Sequence, residues 1–166
     1  YKTVFFTLGV LQIILGLSMI APILAQFFYD ELDSGFISSG IVTIIFGILF
    51  LLSNLDHDKK ISLPQAFLLT ALSWLSIAIF GSLPFIFSEI ELSVTDAFFE
   101  SMSGITTTGS TIITNLDETA KSILLWRGML QWLGGIGIIV MAITLMPLMN
   151  IGGMQRFILS TSDKPE

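Results

Sequence analysis

The chain has 166 residues, of which 53% are hydrophobic and only 12% are charged, and its formal net charge at pH 7 is −6. Soluble domains carry about twice that share of charged residues, so we expect this chain to lie in a lipid bilayer. The lack of cysteine excludes disulfides, thiolate catalysis and cysteine metal sites, and the acidic charge argues against nucleic acid as a partner. The chain starts at Tyr1, and we expect it to be a fragment of a longer protein.

Four apolar stretches are long enough to cross about 30 Å of hydrocarbon as helices. They cover approximately residues 4–28, 35–52, 63–87 and 123–149. An acidic turn separates the first two stretches, and a charged turn at 55–60 follows the second. Pro64 suits the first turn of the third helix. This pattern predicts an all-α polytopic membrane protein.

Lys and Arg are divided unevenly between the two sides of the predicted membrane. If the first helix starts in the cytoplasm, the residues facing inward are Lys2, Lys59, Lys60, Arg156 and Lys164. Lys121 and Arg127 lie toward the outside. The acidic residues gather on that outer side: Asp30, Glu31, Asp33, Glu89, Glu91, Asp96, Glu100, Asp117 and Glu118. Because cytoplasmic loops carry the excess of Lys and Arg, both ends of the fragment are predicted to be cytoplasmic.

The segment between the third and fourth stretches has the pattern of a re-entrant pore loop. Ser93 can cap a helix and Asp96 favours its positive end, so we predict a helix over 94–103. At about 1.5 Å per residue, this helix reaches only halfway across the membrane. A run of hydroxyl residues and a glycine follows at 106–110, and 111–114 is typical of extended chain that returns outward.

Such a loop favours a path for ions. Non-helical backbone at membrane depth occurs where protein covers it or where it lines water. Carbonyl oxygens along such a path replace the hydration shell of a potassium-sized cation, and Gly109 permits the positive φ that turns consecutive carbonyls the same way. The alternative is an ordinary exposed Ser/Thr-rich loop. The half-length helix before it and the apolar pair Ile112-Ile113 after it argue against that alternative.

Three segments, 97–110, 124–140 and 151–156, resemble the bacterial Trk-type potassium uptake proteins, the TrkH relatives within the TrkH/KtrB/HKT superfamily. They are similar to the family's first pore helix and filter, to the start of the following helix, and to the cytoplasmic segment after it. The resemblance implies four helix–pore-loop–helix repeats in one polypeptide around a central path. One repeat supplies a quarter of a filter, so we expect a truncated N-terminal fragment in preference to an assembly of four copies.

The family pattern divides the chain into four parts. Residues 1–54 form an N-terminal transmembrane helix pair, and 55–62 form a cytoplasmic loop. Residues 63–150 are the first helix–pore helix–filter–helix repeat. Residues 151–166 are a cytoplasmic segment that leads to the next repeat.

The resemblance also assigns the site residues. The implied selectivity filter consists of the backbone carbonyls of Thr107, Thr108, Gly109 and Ser110, with potassium bound through the first three. Filter support is expected from Thr106, Glu100 and Arg127. An ion pair between Glu100 and Arg127 would hold the filter backbone, because a lone buried carboxylate is costly. The alternative is Arg127 as an interfacial anchor that extends its charge outward.

Two further groups of residues have a structural and a functional interpretation. Gly134, Gly135 and Gly137 form either a hinge or a surface for close helix packing, and we favour packing. Trp74, Trp126 and Trp132 suit interfacial belts and packing.

We therefore predict potassium uptake, driven by a membrane potential that supplies about 2.3 kcal/mol per elementary charge per 100 mV. The alternatives are a non-conducting membrane assembly subunit and a sodium-permeable relative of the same fold. No catalytic motif is present, so we expect no enzyme and no cofactor, with potassium as the substrate. The resemblance implies the bacterial inner membrane, a homodimer of the full-length chain, and a cytosolic nucleotide-binding regulatory subunit similar to TrkA. The lipid bilayer is the remaining expected partner.

Overall fold

The computed structural model describes residues 1–31, 33–56, 61–90 and 92–162, with side chains described up to residue 143. The predicted cytoplasmic loop at 55–62 therefore lies partly outside the described residues, as does the end of the predicted segment 151–166. The chain divides into two compact units, Tyr1–Gly135 and Ile136–Glu166. Every contact discussed below lies within the first unit.

The described residues form six α-helices: α1 Lys2–Ser18, α2 Ile20–Tyr29, α3 Gly35–Ser53, α4 Leu63–Phe87, α5 Val94–Ile105 and α6 Lys121–Ser162. A single 3-10 turn, Leu116–Glu118, precedes α6. No strand occurs among the described residues, which confirms the all-α class. Four spans are long and apolar enough to cross a membrane: Lys2–Tyr29, Gly35–Ser53, Leu63–Phe87 and Lys121–Ile143.

The first predicted span contains a break at Met19, between α1 and α2. Pro22 explains its position, because proline has no N–H to donate to the carbonyl of Ser18 four residues earlier. At the break, the Met19 N–H bonds to the Gly16 carbonyl three residues earlier, at 3.2 Å. An α-helix would bond it to the carbonyl four residues earlier, so the turn is tighter here.

Two helices are longer than the sequence predicts. The short helix α5 has 12 residues and runs to Ile105, two beyond the predicted end at residue 103. Ser93 caps it as predicted, since its Oγ accepts the Asp96 N–H at 3.2 Å. Helix α6 has 42 residues and continues through most of the predicted cytoplasmic segment, to Ser162.

Glycines allow α1 and α3 to pack with their backbones in contact. A Cβ at Gly9 would lie 2.8 Å from the Gly47 carbonyl oxygen, and a Cβ at Gly47 would lie 2.9 Å from the Gly9 oxygen. This reciprocal close approach is typical of membrane helix pairs, where small residues permit dense packing without a hydrophobic driving force.

The core centres on Trp126, a fully buried residue of α6. Its indole Nε1 donates to the Gly81 carbonyl of α4 at 2.9 Å. Its ring meets the Phe36 ring of α3 edge-on, with centroids 6.1 Å apart. Trp126 therefore joins the N-terminal helix pair to the helices on either side of α5, in agreement with the packing role predicted for it.

Candidate functional site

The residues that follow α5 fold back onto its C-terminal end. The Thr107 N–H donates to the Gly104 carbonyl at 2.9 Å. The N–H groups of Thr108 and Gly109 both donate to the Ser103 carbonyl, at 3.0 and 3.3 Å. The last carbonyls of a helix lack intrahelical partners. Here the segment 107–109 supplies donors for two of them, the carbonyls of Ser103 and Gly104. Its backbone is thereby fastened to α5.

This fastening depends on an alternating backbone conformation. Thr107 has φ 59° and Gly109 has φ 77°, whereas Thr108 between them is outside the positive-φ region. Alternation of left- and right-handed residues directs successive N–H groups to one side of the chain and leaves the carbonyls to the other. The positive φ of Gly109 is confirmed. The positive φ of Thr107 is not predicted from the sequence, because a β-branched residue adopts a positive φ only under strain.

Most carbonyls of residues 106–111 are left without a hydrogen-bond donor. Within the part of the chain that the structure describes, the carbonyl oxygens of Thr107, Thr108 and Gly109 accept no hydrogen bond and all three residues are exposed, and the same holds for Thr106 before them and for Thr111. Ser110 differs from them, since its carbonyl accepts the Ser103 hydroxyl at 2.7 Å. Ser110 therefore ends the row of free carbonyls and returns the chain toward α5.

The threonine side chains form a short chain of hydrogen bonds. The Thr106 hydroxyl donates to the Met102 carbonyl at 2.8 Å and lies 2.9 Å from the Thr108 hydroxyl. A hydroxyl has one hydrogen, so Thr108 is the donor in the second bond. Thr106 thus links the Thr108 side chain to the last turn of α5.

Glu100 joins three segments through one carboxylate. Its Oε1 accepts from Arg127 Nε of α6 at 2.5 Å, and its Oε2 accepts the Ile112 N–H of the returning chain at 3.1 Å. Glu100 is 2% exposed, so its charge needs these partners. Of the two interpretations of Arg127, the structure has the ion pair. Its side chain is 17% exposed and does not extend freely outward.

Helix α6 lies directly against the end of α5. A Cβ at Gly134 would come within 1.8 Å of the Ile105 carbonyl oxygen, whereas Gly135 has no atom within 4 Å of an added Cβ. Gly134 therefore serves close packing, the interpretation favoured above. A Cβ at Gly109 would lie 3.4 Å from Gln131 Nε2, which places α6 beside the free carbonyls.

Leu130 and Gln131 also belong to this region but are not among the residues predicted from the sequence, although a signal for them exists. Leu130 is fully buried, and its Cβ lies 3.0 Å from where a Cβ at Gly104 would be. Positions 127, 130, 131 and 134 follow the three- and four-residue spacing of one helix face. Once Arg127 is assigned to the site, this spacing adds the other three.

A second carboxylate lies in the turn between α2 and α3. Glu31 accepts the Lys121 N–H through Oε1 at 2.6 Å, and the Ser122 N–H and hydroxyl through Oε2 at 3.1 and 2.7 Å. Partial burial raises the pKa of Glu31, but the bonds from Ser122 and Lys121 outweigh it and hold the pKa below its ordinary value. The carboxylate therefore caps the first turn of α6.

Asp33 makes a similar connection to α4. Its Oδ1 accepts the Gly35 N–H at 2.8 Å, and its Oδ2 accepts the Glu89 N–H just after α4 at 3.2 Å. From the sequence alone, these acids are predicted only to place negative charge on the outer side. They border a cavity of about 890 Å³ between this turn and the returning chain. Among the described residues, no group of three or more His, Cys, Asp or Glu is arranged to hold a metal ion.

Comparison with known proteins identifies similar chains along most of the sequence. Residues 33–166 match the family model TrkH, described as cation transport protein. The chain is 38% identical over 159 residues to the Trk system potassium uptake protein TrkH of Vibrio parahaemolyticus, which covers 95% of this chain and 33% of that protein. It is 41% identical over 159 residues to the Trk system potassium uptake protein TrkI of Halomonas elongata, covering 94% and 32%.

A solved structure has the same fold. The crystal structure of the potassium transporter TrkH from Vibrio parahaemolyticus superimposes with a TM-score of 0.85 at 38% identity, over 96% of this chain and 35% of that one. The chain thus spans about a third of the length of the curated relatives that it matches.

Proposed function

The chain belongs to the TrkH family of cation transport proteins, a family of multi-pass membrane proteins with potassium uptake members, and we propose that its full-length parent takes up potassium. In this proposal, the backbone carbonyls of Thr107, Thr108 and Gly109 are one quarter of the selectivity filter. The Ser110 carbonyl is the fourth filter carbonyl of this proposal; it accepts the Ser103 hydroxyl and has a second lone pair for the ion. Three further repeats, beyond this chain, supply the rest.

The row of free carbonyls carries the proposal. The carbonyls within a helix are bonded internally, whereas the exposed oxygens of Thr107, Thr108 and Gly109 are open to water or to a cation. A potassium ion is such a partner, because carbonyl dipoles replace its hydration shell. The N–H groups of the same residues bind the end of α5, so the oxygens are fixed before an ion arrives. The membrane potential then supplies the driving force.

Glu100, Arg127 and Thr106 act in this proposal as filter support. Glu100 connects α5 to α6 through Arg127 and to the returning chain through Ile112. Thr106 holds the side chain of Thr108. Neither Glu100 oxygen is free to bind the ion directly. A filter held by backbone and side-chain bonds keeps its oxygens in place to replace the hydration shell of a potassium ion.

The setting of the parent follows from the same premise. We place it in the bacterial inner membrane with both ends of this fragment in the cytoplasm, paired as a homodimer and bound to a TrkA-like nucleotide-binding regulatory subunit. The relatives are named as transporters, which agrees with a protein that is not an enzyme. Potassium is the substrate and no cofactor is involved.

Rubidium uptake by bacteria that lack their own potassium uptake systems tests this proposal. The full-length parent is expressed as wild type, as Gly109→Ser and as the control Gly128→Ser, with membrane levels measured for each. Gly109→Ser places a side chain at φ 77° and beside Gln131, whereas a Cβ at Gly128 meets no atom within 4 Å. We expect uptake to fall, or sodium to compete more strongly, in Gly109→Ser alone.

The other outcomes separate the alternatives. Equal uptake in all three proteins would remove residues 107–110 from the filter. No rubidium or sodium uptake by wild type with the regulatory subunit present would favour a non-conducting assembly subunit. Sodium uptake that matches rubidium uptake in wild type would favour the sodium-permeable relative.

A further inference from the structure

The acidic turn between α2 and α3 is bonded to both ends of the segment that joins α4 to α6. Glu31 binds Lys121 and Ser122, which are 90 and 91 residues further along the chain. Asp33 binds Glu89, 56 residues away. One turn of the N-terminal helix pair thus contacts Glu89, two residues after α4, and the first turn of α6. We call Glu31 and Asp33 with these contacts the outer clasp.

Glu31 is the stronger half of this clasp. The first N–H groups of a helix have no intrahelical acceptors, and in α6 two of them bond to the Glu31 carboxylate. The Ser122 hydroxyl donates to Glu31 Oε2, the oxygen that also accepts the Ser122 N–H, and Ser122 is 2% exposed. A negative charge at a helix N-terminus also interacts favourably with the helix dipole. The start of α6 is thereby fixed to the N-terminal pair.

The position of the start of α6 matters for the filter because the same helix carries Arg127, Gln131 and Gly134. Arg127 binds Glu100, Gln131 lies beside Gly109, and Gly134 lies against Ile105. Arg127 is less than two helical turns from Lys121. A shift or fraying of the first turn therefore moves the contacts that hold the free carbonyls.

We propose that Glu31 is a positioning residue for the filter, and that the N-terminal helix pair acts as an external brace which sets cation selectivity by fixing the start of α6. This inference rests on the proposed function. It assigns a task to a helix pair that contributes no carbonyl to the filter.

Simple charge attraction is the competing explanation, since acids at an outer mouth raise the local cation concentration. Asp30 separates the two explanations. It is the neighbour of Glu31, it is exposed, and no hydrogen bond to its side chain occurs within the described part of the chain. Its φ of 54° suits asparagine, so Asp30→Asn removes the same charge without strain.

The test compares Glu31→Gln, Asp30→Asn and Ser122→Ala in the full-length parent. The ratio of rubidium to sodium uptake is measured in the same cells, so it does not depend on the amount of protein in the membrane. We expect a several-fold lower ratio in Glu31→Gln, a smaller fall in Ser122→Ala, and the wild-type ratio in Asp30→Asn. Ser122→Ala keeps both backbone bonds to Glu31, so it reports on the clasp even if Glu31→Gln fails to assemble.

A pH profile adds a readout that a general loss of structure would not give. The ratio in wild-type vesicles should fall as the outer pH drops toward the pKa of the Glu31 carboxyl, whereas Glu31→Gln should stay low and flat. Among the described residues, the other charged groups around Glu31 are Asp30, Asp33, Glu89, Glu118 and Lys121. They are unchanged in the variant, so a difference between the two profiles belongs to Glu31.

Two results would overturn the brace. One is an equal effect of Glu31→Gln and Asp30→Asn, which would assign the effect to charge alone. The other is an unchanged ratio in both Glu31→Gln and Ser122→Ala. If Gly109→Ser still alters rubidium uptake in the test of the proposed function, the assignment of the filter is kept and only the proposed role of Glu31 is rejected.

Discussion

Glu100 and Glu31 each connect distant segments of this chain, and their surroundings differ. Glu100 is almost fully buried and has Arg127 as a counter-ion, with one backbone N–H on its other oxygen. Glu31 is partly exposed and has no arginine. Its partners are two backbone N–H groups and a hydroxyl at the start of α6. A buried carboxylate needs an opposite charge, whereas a carboxylate near water is held sufficiently by amides and a helix dipole.

This difference predicts different costs of removal. The loss of Glu100 leaves a cation among apolar helices, but the loss of Glu31 leaves N–H groups that water can reach. The first should affect folding and transport together, and the second should affect selectivity and pH dependence more than folding. Four measurements, in order of expected size, test that distinction.

The largest effect is expected from Glu100→Ala. Removal of one partner from a buried ion pair costs about 3–5 kcal/mol, because the other charge stays buried. The Ile112 N–H also loses its acceptor. We expect a strongly reduced melting temperature of the purified full-length protein in detergent, with little rubidium uptake. A melting temperature close to wild type would show that water reaches Arg127, and the contrast with Glu31 would fail.

The double variant Glu100→Gln with Arg127→Met should recover part of that loss. Neutral replacement of both members of a buried pair is often far less costly than removal of one. Gln retains an acceptor for the Ile112 N–H, and Met fills much of the arginine volume. A double-mutant cycle with both single variants gives the coupling energy. Additive losses in melting temperature would contradict direct pairing.

Glu31→Gln is expected to have an intermediate effect that depends on pH. Loss of a side-chain cap costs about 0.5–2 kcal/mol. The pKa of Glu31 in the folded protein lies below its ordinary value of 4.5. Its contribution to stability is therefore fully present above pH 4.5 and is lost as pH falls through the lower folded pKa. The difference in melting temperature between wild type and Glu31→Gln should shrink in acid. A constant difference would show that the carboxylate charge is not involved.

The smallest effect is expected from Asp33→Asn. The asparagine oxygen can still accept one of the two N–H groups that Asp33 binds, and the bond from the Glu89 N–H is exposed to water, so its loss costs only roughly 0.5–1.5 kcal/mol. We expect a slightly lower melting temperature and a selectivity ratio close to wild type. An effect as large as that of Glu31→Gln would move the main brace from α6 to the end of α4.

The sequence predicts most of the fold because the relevant signals are local. Apolar stretches of membrane length identify the spanning helices, and Ser93 with Asp96 marks the start of α5. The positive φ of Gly109 follows from the residue type. Helix ends are harder to predict, because α5 continues through Gly104 and α6 through Gly152 and Gly153, residues that ordinarily signal the end of a helix.

The remaining features depend on contacts between distant residues, which no local pattern encodes. Thr107 adopts a positive φ only because its N–H and its neighbours bind the end of α5. The Ser110 carbonyl is directed back to Ser103 by a hydroxyl seven residues earlier. Glu31 looks like any solvated acid in a turn until Lys121 is placed beside it.

The separation of Glu31 from its partners has a consequence for biosynthesis. At about 5–20 residues per second, a ribosome needs roughly 5–18 s to make the chain between Glu31 and Ser122. The hairpin formed by α1, α2 and α3 is synthesised before α6. We therefore expect the Glu31 carboxylate to stay in contact with water until α6 is made and its first N–H groups bond to it. An arrested nascent chain that ends before residue 121 should therefore expose this turn to proteases, and one that ends well beyond it should protect the turn.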